Sequence, residues 1–143
     1  MPITAAMRPA ESSMLSGEAP EKPTVLVVDD EPMITAILTA ILRKAGYTVL
    51  AATGPREALE ICQKPESQIA VAIVDYLMPE QNGAELACCL QELHPGMRIV
   101  MMSGYTGSQS RMNDVPCEVH GFLAKPFNVE AAVAVVQNVL TAS

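Results

Sequence analysis

The sequence predicts an α/β domain built on a mostly parallel sheet with helices covering both faces. Three observations carry that expectation. Short apolar runs bounded by polar residues recur along the chain, as in Val25-Leu26-Val27-Val28 and Ile69 to Val74, and such runs suit strands buried on both faces. Between the runs lie segments of helical spacing, as in Ile34, Ile37, Leu38, Ile41 and Leu42. Two of the runs also stop on acid, the first at Asp29-Asp30 and the third at Asp75.

Each element has its own signals. The first strand starts at Thr24, and Pro32 after the acidic residues opens a helix that Gly46 closes. Tyr47 to Ala52 reads as a second strand and Pro55 to Lys64 as a second helix. Ile69 to Val74 is the third strand, ending against Asp75. Leu86, Cys89, Leu90 and Leu93 mark a third helix that stops near Pro95-Gly96. Arg98 to Met102 and Gly121 to Ala124 supply two more strands, and Val129, Val133, Val136 and Leu140 place a last helix against the sheet. Thr106 to His120, with Gly107, Asn113, Asp114 and Pro116, leaves room only for a short or irregular helix. Residues 1–22, rich in Pro, Ser, Glu and Ala, read as a flexible extension, so the folded domain is expected over 23–143.

Composition excludes several classes. A length of 143 residues suits one domain with a sizeable core. A net charge of −7 argues against nucleic-acid binding, where basic patches supply affinity. No run reaches the length of a membrane span, and Met1 to Ala10 lacks the features of a signal peptide, so a cytoplasmic location is expected. The four cysteines show no zinc-ligand spacing and do not read as a disulfide framework. Cys62 and Cys89 fall on apolar helical faces, where a free thiol acts as a small hydrophobe in a reducing cytoplasm. His94 and His120 are expected to be solvated surface residues.

The chemistry-bearing residues fall at strand ends. In an open parallel sheet ligands bind beyond the carboxyl ends of the strands, where Asp29, Asp30 and Asp75 gather. Their mutual repulsion calls for a divalent cation, and hard oxygen ligands favour Mg²⁺, with Mn²⁺ possible. A solvated turn or helix cap accounts for Asp29-Asp30 alone but not for Asp75. Lys125, followed by Pro126 after the fifth strand, is placed to reach a phosphate or the Asp75 carboxylate. Ser103, ahead of Gly104, supplies a hydroxyl donor at the fourth strand's end.

Together these residues resemble a known pattern. Val27-Val28-Asp29-Asp30-Glu31-Pro32, Val74-Asp75-Tyr76-Leu77-Met78-Pro79 with Asn82-Gly83, Met102-Ser103-Gly104-Tyr105 and Phe122-Leu123-Ala124-Lys125-Pro126-Phe127 occur in order. Over residues 24–142 the chain resembles the receiver domains of two-component response regulators. The resemblance implies a doubly wound, flavodoxin-like, five-stranded parallel sheet of order 2-1-3-4-5. It implies that Asp75 is the phosphoacceptor, taking a phosphoryl group from a phosphohistidine of a histidine kinase or phosphotransfer protein in a phosphorelay. Asp30, Asp75 and the main-chain carbonyl of Leu77 would bind Mg²⁺, with Asp29 acting through water. Ser103 and Lys125 would contact the phosphoryl oxygens.

Phe122 matches the family's switch aromatic, rotating into space that Ser103 vacates; the alternative is a static core side chain. Leu77 and Tyr105 are placed to shield the phosphoryl group, which predicts slow self-dephosphorylation. A phosphoryl half-life that fails to shorten in a Leu77→Asn, Tyr105→Glu double variant contradicts that expectation.

Two other classes compete. A phosphohydrolase with an Asp nucleophile would also use Asp75, a lysine and magnesium, but it needs a second acid where Leu77 stands. A degenerate receiver acting as a constitutive binding module needs no phosphorylation, yet every required residue type is here. A dinucleotide site is disfavoured, because no GxGxxG follows the first strand. The expectation is a signalling domain rather than an enzyme, its output carried by contact with a downstream protein. The Met102-Ser103-Gly104-Tyr105 segment is similar to receivers attached to hybrid sensor kinases.

Overall fold

A computed structural model describes residues 23–64, 68–78, 82–104 and 117–141. The chain runs β1 (Thr24–Val28), α1 (Pro32–Lys44), β2 (Thr48–Ala52), α2 (Pro55–Gln63), β3 (Ile69–Asp75), α3 (Gly83–Leu93), β4 (Arg98–Ser103), β5 (Gly121–Ala124) and α4 (Val129–Thr141). The extension expected over 1–22, the shielding residue Tyr105, and residues 106–116 of the segment expected to be irregular lie outside the described residues.

The apolar runs become the central strands. All strand pairs are parallel and the order is β2-β1-β3-β4-β5. Side chains alternate across a strand, so one run feeds two cores. Leu26, Val28, Ala72, Val74, Ile99 and Met101 pack against Ala58 and Cys62 of α2 and Leu86, Ala87 and Leu90 of α3. Val25, Val27, Val71, Ile73, Val100 and Met102 face Leu38 and Leu42 of α1 and Ala132, Val136 and Val139 of α4. Helices thus cover both faces, as a doubly wound sheet requires.

Helix ends follow from local chemistry. Pro32 and Pro55 open α1 and α2, where a missing N–H costs nothing. At the far end of α1, Gly46 adopts φ 105°. Its N–H donates to the Arg43 carbonyl and that of Tyr47 to the Leu42 carbonyl, the paired bonds of a Schellman motif. Asn82 caps α3 by accepting from the Glu85 N–H at 2.9 Å, so the helix starts three residues before its first apolar marker, Leu86. Asn128 Oδ1 accepts from the Ala131 N–H at 2.7 Å at the start of α4.

Gly83 is required by close approach. Its N–H donates to the Tyr76 carbonyl at 2.8 Å, and an added Cβ would run into the Asp75 carbonyl and lie 2.9 Å from Tyr76 Cα. Both neighbours are backbone and cannot rotate away. Gly83→Ala should destabilise the domain by about 3 kcal/mol, the upper end of ordinary overpacking. A urea titration checks this; an unchanged midpoint would mean that α3 shifts freely against the end of β3.

Two expectations are corrected. Cys88 and Cys117 are joined as a disulfide across 29 residues of sequence, while Cys62 and Cys89 are free. The pairing follows from the fold, which brings the approach to β5 back over α3, and no short-range spacing announces it. Nor are the histidines merely solvated. His94 Nε2 lies 2.6 Å from the Cys62 carbonyl, so the ring donates there. His120 Nδ1 accepts from the Ile99 N–H at 3.0 Å while its own backbone N–H donates to the Ile99 carbonyl, extending the β4 ladder with a side chain.

Candidate functional site

The register brings the strand ends level. Val28 pairs with Val74 and with Ala52, Asp75 with Met102, and Ser103 with Ala124. Residues just past those pairs therefore meet at one rim of the sheet. Carboxylate oxygens of Asp29, Asp30 and Asp75 lie within 4.8 Å of one another. Asp29 and Asp75 are buried, whereas Asp30 is exposed at the mouth.

Lys125 reaches into this cluster. Its Nζ stands 2.7 Å from Asp29 Oδ2, 3.5 Å from Asp75 Oδ1 and 3.8 Å from Glu31 Oε1. The backbone holds it there, since the Lys125 N–H donates to the Ser103 carbonyl at 2.7 Å. The Lys125–Pro126 peptide is cis. Asp29 is further oriented by accepting from the Glu31 N–H at 2.9 Å, through Oδ1. Ser103 is buried at the end of β4, beside the backbone bond that anchors Lys125. Leu77 lies two residues beyond Asp75 and is 42% exposed. Phe122 is 47% exposed on β5.

Electrostatics separate the groups. Burial pushes the Asp75 carboxyl up from 3.8, the Asp29 charge pushes further, Lys125 pulls back, and Asp30 adds a smaller push, leaving it at about 6. Burial alone would lower the Lys125 ammonium, but Asp29 and Asp75 outweigh it and hold the group above its ordinary value. One ammonium against three carboxylates leaves the rim anionic. Asp29 Oδ2 is fully buried, with the Lys125 ammonium 2.7 Å away. A hard divalent cation fits this donor set, because it balances the surplus charge and takes oxygen ligands alone.

The Asp75 shift makes a prediction with a definite sign. Its folded value lies above the unfolded one, so the folded chain holds a proton that the unfolded chain has lost. Stability from this group is full below about pH 4 and is lost as pH rises through about 6. With metal chelated, the urea midpoint should fall over that window in the native chain and less so in Asp75→Asn. Superimposable pH profiles would contradict it.

Some neighbours carried no sequence signal. Glu31 brings a further acid to Lys125, and it stood in the matched motif without a role. Asp30 also lines a surface cavity of about 470 Å³ with Thr53, Gly54, Arg56 and Met78. The β2–α2 turn reaches the site because β2 neighbours β1, a fact of topology that spacing alone does not give.

Comparison with known proteins adds the family. The sequence profile of the response regulator receiver domain matches residues 25–137. The chain belongs to this family. Over 140 residues the receiver is 32% identical to the sensor kinase CckA of Brucella abortus, covering 97% of this chain and 14% of that protein. Its fold matches the chemotaxis protein CheY4 of Vibrio cholerae with a TM-score of 0.73 and 30% identity, over 82% of this chain and 98% of that one. A response regulator from Burkholderia pseudomallei, solved with a phosphorylated aspartic acid and a calcium ion, matches with a TM-score of 0.71 and 29% identity over 81% and 67%. The receiver spans about half or less of the length of the curated relatives it matches. Among the described residues, no helix is long and apolar enough to cross a membrane.

Proposed function

We propose that this receiver, residues 23–143, accepts a phosphoryl group on Asp75 from the phosphohistidine of a histidine kinase or phosphotransfer protein in the cytoplasm. The observation that carries the reading is the Lys125 ammonium seated between buried Asp29 and Asp75, with Asp30 at the mouth. An Asp75 oxygen attacks phosphorus, the P–O bond forms as the P–N bond breaks, and the electron pair leaves with the imidazole. Attack requires the ionised carboxylate, so uptake falls below about pH 6 unless a cation holds Asp75 in that form. Lys125 neutralises charge on the phosphoryl oxygens, and the Ser103 hydroxyl donates to them. Asp29 orients Lys125 between transfers. Asp30, Asp75 and the Leu77 carbonyl would hold Mg²⁺, or Mn²⁺ in its place, with Asp29 acting through water, and the cation would supply further charge neutralisation.

The phosphoryl contact to Ser103 favours one arrangement of the β4 end, and Phe122 on β5 reads it out to a downstream protein. The exposure of Phe122 supports this reading, since a half-exposed ring is not locked by core packing. Chemistry ends with the acyl phosphate and its slow hydrolysis, so the domain signals rather than turning over a substrate. A phosphohydrolase is disfavoured by Leu77 at the position of its second acid. Incubation with acetyl phosphate and Mg²⁺ separates the two. The proposal predicts one phosphoryl group per chain, mapped to Asp75; steady phosphate release without a retained group contradicts it.

A further inference from the structure

Cys88, in the middle of α3, and Cys117, four residues before β5, are bonded with their Cα atoms 5.5 Å apart. That separation lies within the range of about 4.4–6.8 Å that a disulfide bridges without backbone movement. The pairing does not depend on the bond alone. One turn along α3, Gln91 Nε2 donates to the Glu118 carbonyl at 3.2 Å, and the Glu118 N–H donates to Gln91 Oε1 at 3.3 Å. This two-way clasp joins the same two segments independently of the sulfurs. Both cysteines are half-buried and line a surface cavity of about 520 Å³ with Gln91, Glu92, Pro95 and Glu118, so a small reagent has access. Cys62 offers the contrast, being buried with its thiol pushed up by that burial, the setting of an inert cysteine.

We propose that Cys88 and Cys117 form a reversible redox site, closed by a small-molecule disulfide and reopened by thiols, whose state tunes phosphorylation of Asp75. The second half rests on the phosphoacceptor reading above. One thiolate attacks the small disulfide, forming a mixed disulfide and expelling one thiol. The other cysteine then displaces the second thiol, so two cysteine thiols are oxidised while one disulfide is reduced to two thiols. In a reducing cytoplasm such a pair is a transient, responsive bond rather than a permanent staple.

Coupling follows from position. Closing the bond pins the approach to β5 onto α3, and β5 carries Phe122 and ends at Lys125. His120, between Cys117 and β5, is bonded to Ile99 of β4 through both ring and backbone, so the restraint reaches the strand that ends at Ser103. A strand held at its entrance repacks less readily around a phosphoryl group.

The test uses the full chain, treated with oxidised glutathione or with dithiothreitol. The oxidised sample should titrate two free thiols after denaturation against four in the reduced sample. Peptide mapping should find Cys88 linked to Cys117. Uptake of phosphate from acetyl phosphate should slow at least about fivefold on oxidation, the low end of ordinary coupling between sites. Dithiothreitol should restore it, and Cys117→Ser should be insensitive to both reagents. If that variant does not fold, the two forms of the native chain still decide. Four free thiols after oxidation, or a link through Cys62 or Cys89, overturns the site. Equal uptake in both forms overturns the coupling. Uptake in neither form overturns the coupling together with the phosphoacceptor reading, while the thiol count still decides the redox site.

Discussion

Replacing Asp75 with asparagine should abolish phosphate uptake from acetyl phosphate while leaving the fold intact. The nucleophile is lost, because an amide oxygen cannot form the acyl phosphate, and among the described residues no second carboxylate is equivalently placed. Asp29 is fully buried and committed to Lys125 and the Glu31 N–H, and Asp30 sits out at the mouth. The expected result is no detectable phosphoryl group by intact mass, a drop of more than about a hundredfold if transfer rather than binding is lost. Stability should hold or rise at neutral pH, since the carboxyl is held at about 6 by burial and by Asp29 and Asp30, and its ionisation opposes folding. A variant that still takes up one phosphoryl group would move the acceptor elsewhere. A variant that unfolds would show that the ion pair with Lys125 outweighs that repulsion.

Lys125→Met carries the second large effect, and here stability moves as well as chemistry. The ammonium is the compensating charge for Asp29, whose side chain has no solvent exposure. Removing one partner of a buried pair typically costs about 3–5 kcal/mol, because the remaining charge is stranded. Met keeps most of the apolar stem, so packing loss is minor. Without metal the variant should unfold at markedly lower urea than the native chain. Saturating Mg²⁺ should recover more stability in the variant than in the native chain, since the stranded carboxylates then gain a cation. Paired urea titrations with and without Mg²⁺ measure this. Equal Mg²⁺ gains in the two chains would contradict the role of Lys125 as the charge balancing Asp29. The Asp29→Asn, Lys125→Met double variant should be more stable than Lys125→Met alone, because the stranded charge is gone.

Much of this was legible from the residues. Buried parallel strands announce themselves as apolar runs, and Val25 to Val28 and Ile69 to Val74 became β1 and β3. The site was legible because its residues sit where those runs stop, at Asp29, Asp75, Ser103 and Lys125. A strand end is a local feature, and parallel packing brings local ends together without further information. What failed to show was long-range or two-sided. The Cys88–Cys117 bond depends on how the chain returns over α3, and nothing within either neighbourhood encodes it. His120 looked like a surface residue because its ring partner, Ile99 N–H, lies 21 residues away. The exposure of Phe122 was undecidable because β5 is an edge strand, where one side of an apolar residue can face either core or solvent. Arg56 and Thr53 neighbour the site only because β2 lies beside β1.

Asp75, with its carboxylate neighbours and Lys125, is proposed to form a metal-assisted phosphoryl site. Beryllium fluoride, a mimic of the phosphoryl group, tests it most directly when titrated into the native chain by calorimetry with and without Mg²⁺. Saturable binding at one site per chain is expected, requiring Mg²⁺ and disappearing in Asp75→Asn. Binding that is absent with Mg²⁺ present, or that survives in Asp75→Asn, would contradict it.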